Sequence, residues 1–111
     1  KVGAAVLTTD GRIFSGCNIE NSSYSLTICA ERTALFKALS EASRKFRALA
    51  ISSDSPEFIS PCGACRQVIW ELAGNIDLLL TNVKGDYKLV KAGTLLPIPF
   101  TDKSLKAGRK A

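Results

Sequence analysis

Two short stretches limit what this chain can fold into: Cys29-Ala30-Glu31-Arg32 and Pro61-Cys62-Gly63-Ala64-Cys65. Each stands where a helix is expected to begin. Cys62 and Cys65, at i and i+3 in a first helical turn, project their side chains together. A fold that brings the two helix starts to one point collects three thiolates and one carboxylate there. Two helix N-termini also favour negative charge and help keep the thiols ionised. Three protein ligands leave tetrahedral zinc a fourth position open to water, which is the pattern of catalytic rather than structural zinc. Glu31, two residues from Cys29, would then move protons to and from that water.

Other readings of the same residues exist. Pro-Cys-Gly-Ala-Cys is also the form of a redox Cys-x-x-Cys pair at a helix start. Cys17 could join the other three as the fourth ligand of a structural zinc, although it lies in a strand pattern and also reads as a small buried apolar residue. Zinc with three thiolates carries a charge of about −1 by simple counting, which weakens its power to acidify water. Arg32 and Arg66 are the residues placed to offset this by donating to cysteine sulfur.

The remaining sequence reads as an α/β protein. Of 111 residues, 46% are hydrophobic, enough for the core of a single domain over 1–111. The net charge of +5 is spread between Arg44, Lys45 and Arg47 and a C-terminal group of Lys103, Lys106, Arg109 and Lys110. Without an aromatic-rich basic motif, that reads as solvated surface, and nucleic acid is not the expected partner. No apolar run has the length of a membrane span and no signal peptide pattern opens the chain, so the expected location is the cytoplasm. The four cysteines fit a reducing compartment, where thiols serve metals or catalysis more often than disulfides.

Val2 to Thr8 and Arg12 to Asn18 flank Asp10-Gly11, a hairpin signal. Asn18 to Tyr24 is polar and loop-like. From Ala30 to about Ser40, Ala34, Leu35, Ala38 and Leu39 recur at helical spacing. Phe46 to Ser52 reads as a strand. A second helix is expected from about Cys62 to Ala73, with Val68, Ile69 and Leu72 inward and Gly74-Asn75 ending it. Ile76 to Thr81 is a continuous apolar run, as in a buried parallel strand. Only a few residues then precede Tyr87 to Val90. Parallel neighbours need a crossover of about a dozen residues, so this last strand should run antiparallel. Leu95 to Phe100 reads as extended, before a short helix capped by Thr101 or Asp102. The order ββαβαββ is a two- or three-layer α/β sandwich on a mixed five-stranded sheet.

The sequence resembles cytidine deaminase of the small homotetrameric, three-cysteine type, and its cysteine and glutamate pattern is the known signature of zinc deaminases. Gly16-Cys17-Asn18-Ile19-Glu20-Asn21, Tyr24-Ser25, Cys29-Ala30-Glu31-Arg32-Thr33-Ala34, Ser60-Pro61-Cys62-Gly63-Ala64-Cys65-Arg66-Gln67, Leu95-Leu96-Pro97 and Phe100 carry the likeness. The resemblance implies one zinc per chain on Cys29, Cys62 and Cys65, with water as fourth ligand. Glu31 would take the water's proton, pass it to pyrimidine N3 and help protonate the departing amine, so that cytidine or 2′-deoxycytidine becomes uridine or 2′-deoxyuridine plus ammonia in pyrimidine salvage. Asn18 and Glu20 would hold the ribose 3′-hydroxyl, and backbone groups at Ala30 and around Ser60 the pyrimidine edge. Arg32 would bond the ligand sulfurs. Tyr24 and Phe100 would reach a neighbouring subunit's pocket in a homotetramer with shared sites. The resemblance also implies a helix and a phenylalanine ahead of the first strand; both would precede Lys1, and the expectation is a domain without that N-terminal helix. The alternatives are a blasticidin-S-type or modified-cytidine deaminase, and a truncated zinc-binding oligomer with little activity.

Overall fold

Alternation along β1 (Val2–Thr8) buries Ala4, Val6 and Thr8 on one face and leaves Ala5 and Leu7 half-buried on the other. The structure is a computed structural model that describes residues 1–20, 22–23 and 27–101. Gly11, at φ 89°, turns the chain into β2 (Ile13–Cys17), which runs antiparallel to β1 with Phe14 opposite Val6. Thr8 closes the turn, its N–H donating to Arg12 O at 2.9 Å and its hydroxyl to the Asp10 carboxylate.

Helix α1 (Ala30–Ser40) follows and buries Ala34, Leu35 and Ala38 against the sheet. It lies close to β2 because Gly16 has no side chain. A Cβ there would stand 2.7 Å from Ala34 N and 3.0 Å from Ala30 O. Past the C-cap residue Glu41, Ala42 takes a φ of 65°, the left-handed conformation usually adopted by glycine at this position. Ser43 N–H then donates back to Ala38 O at 3.0 Å, and Ala42 N–H to Leu39 O at 3.0 Å.

β3 (Phe46–Ser53) pairs antiparallel with β1, setting Leu49 opposite Val6. Helix α2 (Gly63–Ala73) is the crossover to β4 (Asp77–Thr81), which runs parallel to β3 with Leu78 opposite Leu49. β5 (Tyr87–Lys91) returns antiparallel to β4, as the short connection requires. The five-stranded sheet has the order β2-β1-β3-β4-β5. Ala92–Leu95 then forms α3, a short helix where the sequence carries no helical signal, so Leu95 closes a helix instead of opening an extended run. The expected helix cap at Asp102 lies outside the described residues.

Among the described residues the architecture has two layers. Leu35 of α1 and Ile69 of α2 share one core with Val6, Leu49, Ile51 and Leu78 of the sheet. Each such side chain, removed from water, contributes about 1.5–3 kcal/mol. Val68 and Leu72, expected inward on α2, are half-buried. Trp70 packs on α3, its Cζ3 lying 3.3 Å from the point where a Cβ on Gly93 would stand. The opposite sheet face carries Ile13, Tyr87 and Leu89, all well exposed. No helix among the described residues is long and apolar enough to cross a membrane.

Candidate metal centre

The two helix starts meet. Cys29 is the N-cap residue of α1 and Cys62 that of α2, both with extended backbone (φ −73°, ψ 152° and φ −64°, ψ 167°). Cys65 lies in the first turn of α2 and is fully buried, while Cys29 is half-buried and Cys62 exposed. The three sulfurs lie within 4.8 Å of one another, and Cys29 Sγ stands 3.7 Å from Cys62 Sγ. Zinc–sulfur bonds of about 2.3 Å in a tetrahedron require sulfurs about 3.8 Å apart. The donor set therefore fits zinc in both chemistry and spacing. Cys17, exposed on β2, is not in the group.

Local bonds hold this arrangement. Cys65 N–H donates to Cys62 Sγ at 3.4 Å, so the capping atom of α2 is also a ligand candidate. Arg32, one turn into α1, donates from Nη2 to Cys29 Sγ at 3.5 Å. Its Nε is buried with no hydrogen-bond partner among the described residues. The bond to Cys29 is the main cause raising the Arg32 pKa; burial opposes it and the charge on Cys65 reinforces it. Burial pushes the Cys65 thiol well up, and the neighbouring Cys62, Cys29 and Glu31 add to this. Burial also works on Cys62, but the N–H groups of Cys65 and Ala64 and the two other thiols outweigh it and bring its pKa down. Crowded thiols of this kind ionise together when a cation joins them.

Glu31 follows Cys29 by two residues and is 4% exposed, buried in the first turn of α1 and not on the helix surface. Ala30, beside it, is fully buried. The segment carrying Asn18 and Glu20 is drawn to Cys29 by a bridge between Ile19 and Ile28, with N–H to O distances of 2.8 and 2.9 Å. Asn18 Oδ1 accepts from Val2 N–H at 3.1 Å, which leaves its Nδ2 as the group to present to a ligand. Asn18 and Glu20 line a cavity of about 540 Å³ with Lys1, Val2 and Cys17. Another cavity, of about 310 Å³, lies at the far end of α1 among Thr9, Arg12, Arg44 and Lys45, and its lining includes neither the cysteines nor Glu31.

Arg66 departs from expectation. Its guanidinium donates from Nε to Pro61 O at 2.8 Å, from Nη1 to Leu95 O at 3.2 Å and from Nη2 to Ser60 Oγ at 2.9 Å, and not to a sulfur. Three nearby oxygen acceptors match the planar guanidinium better than a thiol does. Phe100 is 59% exposed, with its backbone held by Gln67. Gln67 is not among the expected site residues; what marks it in the sequence is its place two residues after Cys65, at the end of the Ser60 to Gln67 run that carries the family likeness. Tyr24 lies outside the described residues.

Three sulfur donors at two helix N-termini, over a mixed five-stranded sheet, define a zinc-binding α/β protein with a buried carboxylate beside the metal donors. The family model described as cytidine and deoxycytidylate deaminase zinc-binding region matches residues 1–77. The cytidine deaminase of Sporosarcina psychrophila is 54% identical over 105 residues, covering 94% of this chain and 77% of that protein. A probable cytidine deaminase of Dictyostelium discoideum is 48% identical, covering 96% of this chain and 73% of its own length. Among solved structures, the cytidine deaminase of Burkholderia pseudomallei superposes with a TM-score of 0.86 at 51% identity, over 89% of this chain and 80% of that one. That of Mycobacterium tuberculosis gives 0.75 at 40% identity, over 90% and 78%. The chain belongs to the cytidine and deoxycytidylate deaminase family.

Proposed function

We propose that this chain hydrolyses cytidine and 2′-deoxycytidine to uridine and 2′-deoxyuridine, releasing ammonia, in pyrimidine salvage. The observation that carries this reading is the buried Glu31 two residues from Cys29, in a group where Cys29, Cys62 and Cys65 bring their sulfurs within 4.8 Å. Zinc bound by these cysteines would supply Lewis-acid activation of a water molecule. Glu31 accepts the proton of the attacking water and delivers it to ring nitrogen N3 as C4 becomes tetrahedral. It then takes the proton of the new C4 hydroxyl and passes it to the amine, so that the C4–N bond breaks, ammonia leaves and C4 becomes the carbonyl of uridine. The same carboxylate serves as base and then acid, so it is restored at the end of the cycle.

Asn18 and Glu20 would grip the ribose 3′-hydroxyl. In this chain Asn18 is half-buried and Glu20 exposed. A nucleoside seated on them would cover both groups and pair them, whereas a sugarless base would leave them without that partner, which favours nucleosides over free cytosine. The Ser60 hydroxyl already accepts from Arg66, so backbone groups around Ser60, with those of Ala30, would meet the pyrimidine edge. Arg32 holds Cys29 and offsets the thiolate charge. Phe100 and Tyr24 would complete pockets across subunits of a homotetramer. The exposed Ile13, Tyr87, Leu89 and Ile98 suit burial between copies. Free thiol ligands suit a reducing compartment, the cytoplasm.

The test is to incubate the zinc-loaded chain with cytidine, and separately with blasticidin S, following ultraviolet absorbance and ammonia. Loss of cytidine with equimolar uridine and ammonia supports the reading. Preference for the drug, or no turnover from folded, zinc-replete tetramer, contradicts it.

A further inference from the structure

Arg66 and Gln67 follow Cys65 directly in α2, and both reach to the stretch of chain after β5. The Gln67 carboxamide holds both backbone groups of Phe100. Nε2 donates to Phe100 O at 2.8 Å, and Phe100 N–H donates to Oε1 at 3.1 Å. This reciprocal pair resembles the exchange between opposed residues of antiparallel strands. Arg66 holds Leu95 O at the other end of the same stretch, and with its remaining nitrogens it holds Ser60 and Pro61 just ahead of Cys62.

Residues 96–100 belong to no helix or strand, and Pro97 and Pro99 have no N–H to donate. Side-chain bonds from α2 therefore do for this strap what a ladder does for a strand. The strap holds apolar side chains away from the core: Ile98 is 91% exposed and Phe100 59%. A large apolar group displayed on a clamped backbone is ordered before it meets a ligand, which lowers the entropy lost on binding.

We propose that Gln67 is a positioning residue for substrate binding, acting through the peptide of Phe100. It fixes the Phe100 backbone relative to the turn of α2 that carries Cys62 and Cys65. The proposal rests on the function given above, in which Phe100 belongs to the substrate site. With the clamp lost, the strap must be ordered at each binding event, so KM rises. The chemical step at Glu31 keeps its geometry, so kcat holds.

The experiment is a double-mutant cycle on the full zinc-loaded chain with Gln67→Ala, Phe100→Ala and the pair, together with Gln67→Glu and amide hydrogen exchange at Phe100. In Gln67→Ala, KM for cytidine rises about tenfold, the size expected from one or two ordinary hydrogen bonds, while kcat and zinc per chain stay within about twofold. The double variant is no worse than Phe100→Ala alone, because the two residues act through one contact. Gln67→Glu keeps the acceptor for Phe100 N–H and recovers part of the loss. Additive effects, or a fall in kcat and zinc content at constant KM, overturn the proposal. Amide exchange separates this idea from the proposed function. If wild type fails to deaminate cytidine, the function is wrong; if Phe100 exchange is unchanged by Gln67→Ala, the clamp is wrong whatever the turnover.

Discussion

Cys29 Sγ and Cys62 Sγ stand 3.7 Å apart, and each belongs to the residue that caps a helix N-terminus. Such caps are usually Ser, Thr, Asp or Asn, whose oxygen accepts an orphan N–H. In α2 the capping atom is a sulfur, Cys62 Sγ, which accepts from Cys65 N–H. The same atom thus sets the cap and stands among the three candidate metal donors. The helix ends favour the charge that the metal needs on its ligands. The positive charge within α1 that balances it comes from Arg32, which touches Cys29 directly.

Arg32→Gln tests that balance. The variant keeps a donor near Cys29 but loses the full charge. Zinc affinity should fall about 10- to 100-fold, the usual cost of removing a partner that supports a metal ligand. Competition with a chromophoric chelator measures it. Unchanged affinity would assign Arg32 to packing alone.

Cys17 lies outside the sulfur group and is exposed on β2. Cys17→Ser should leave one zinc per chain by elemental analysis and the same melting temperature. Loss of the metal would restore the reading of a closed, four-cysteine structural site.

Ala42 pays for its left-handed φ of 65° with steric strain that glycine would not have. Ala42→Gly should stabilise the chain by about 0.5–1 kcal/mol, offset in part by the freer unfolded chain. In a domain of this size that raises the melting temperature by about 3–6 °C. Calorimetry at fixed zinc content is the measurement, and a lower melting temperature would contradict the cap assignment.

Much of the fold was legible because local signals agreed with one another. Asp10-Gly11 marked the hairpin, and the few residues between Thr81 and Tyr87 forced the antiparallel last strand. The three cysteines were legible as a group because two helix starts carried them. Other features depended on tertiary packing. Glu31 has the local pattern of a surface residue, yet it is buried, and it stands close enough to Cys65 of α2 for its charge to act on that thiol. Arg66 had the spacing to reach a sulfur, but the oxygens of Pro61, Leu95 and Ser60 take its donors. Nothing in Ala92-Gly93-Thr94-Leu95 signals α3. Its packing against Trp70 and the bond from Gly93 N–H to Asn75 Oδ1, at 2.7 Å, accompany a turn that the local sequence does not specify.

The central claim is that Glu31 moves the protons while three cysteines hold the metal. The most direct measurement is the steady-state deamination of cytidine by Glu31→Gln beside wild type, with zinc counted in both. Equal zinc, a similar melting temperature and a kcat lower by about 10²- to 10⁴-fold, the range for general acid–base catalysis, are the expected result. A variant that keeps its zinc and also keeps near-normal turnover would contradict the claim.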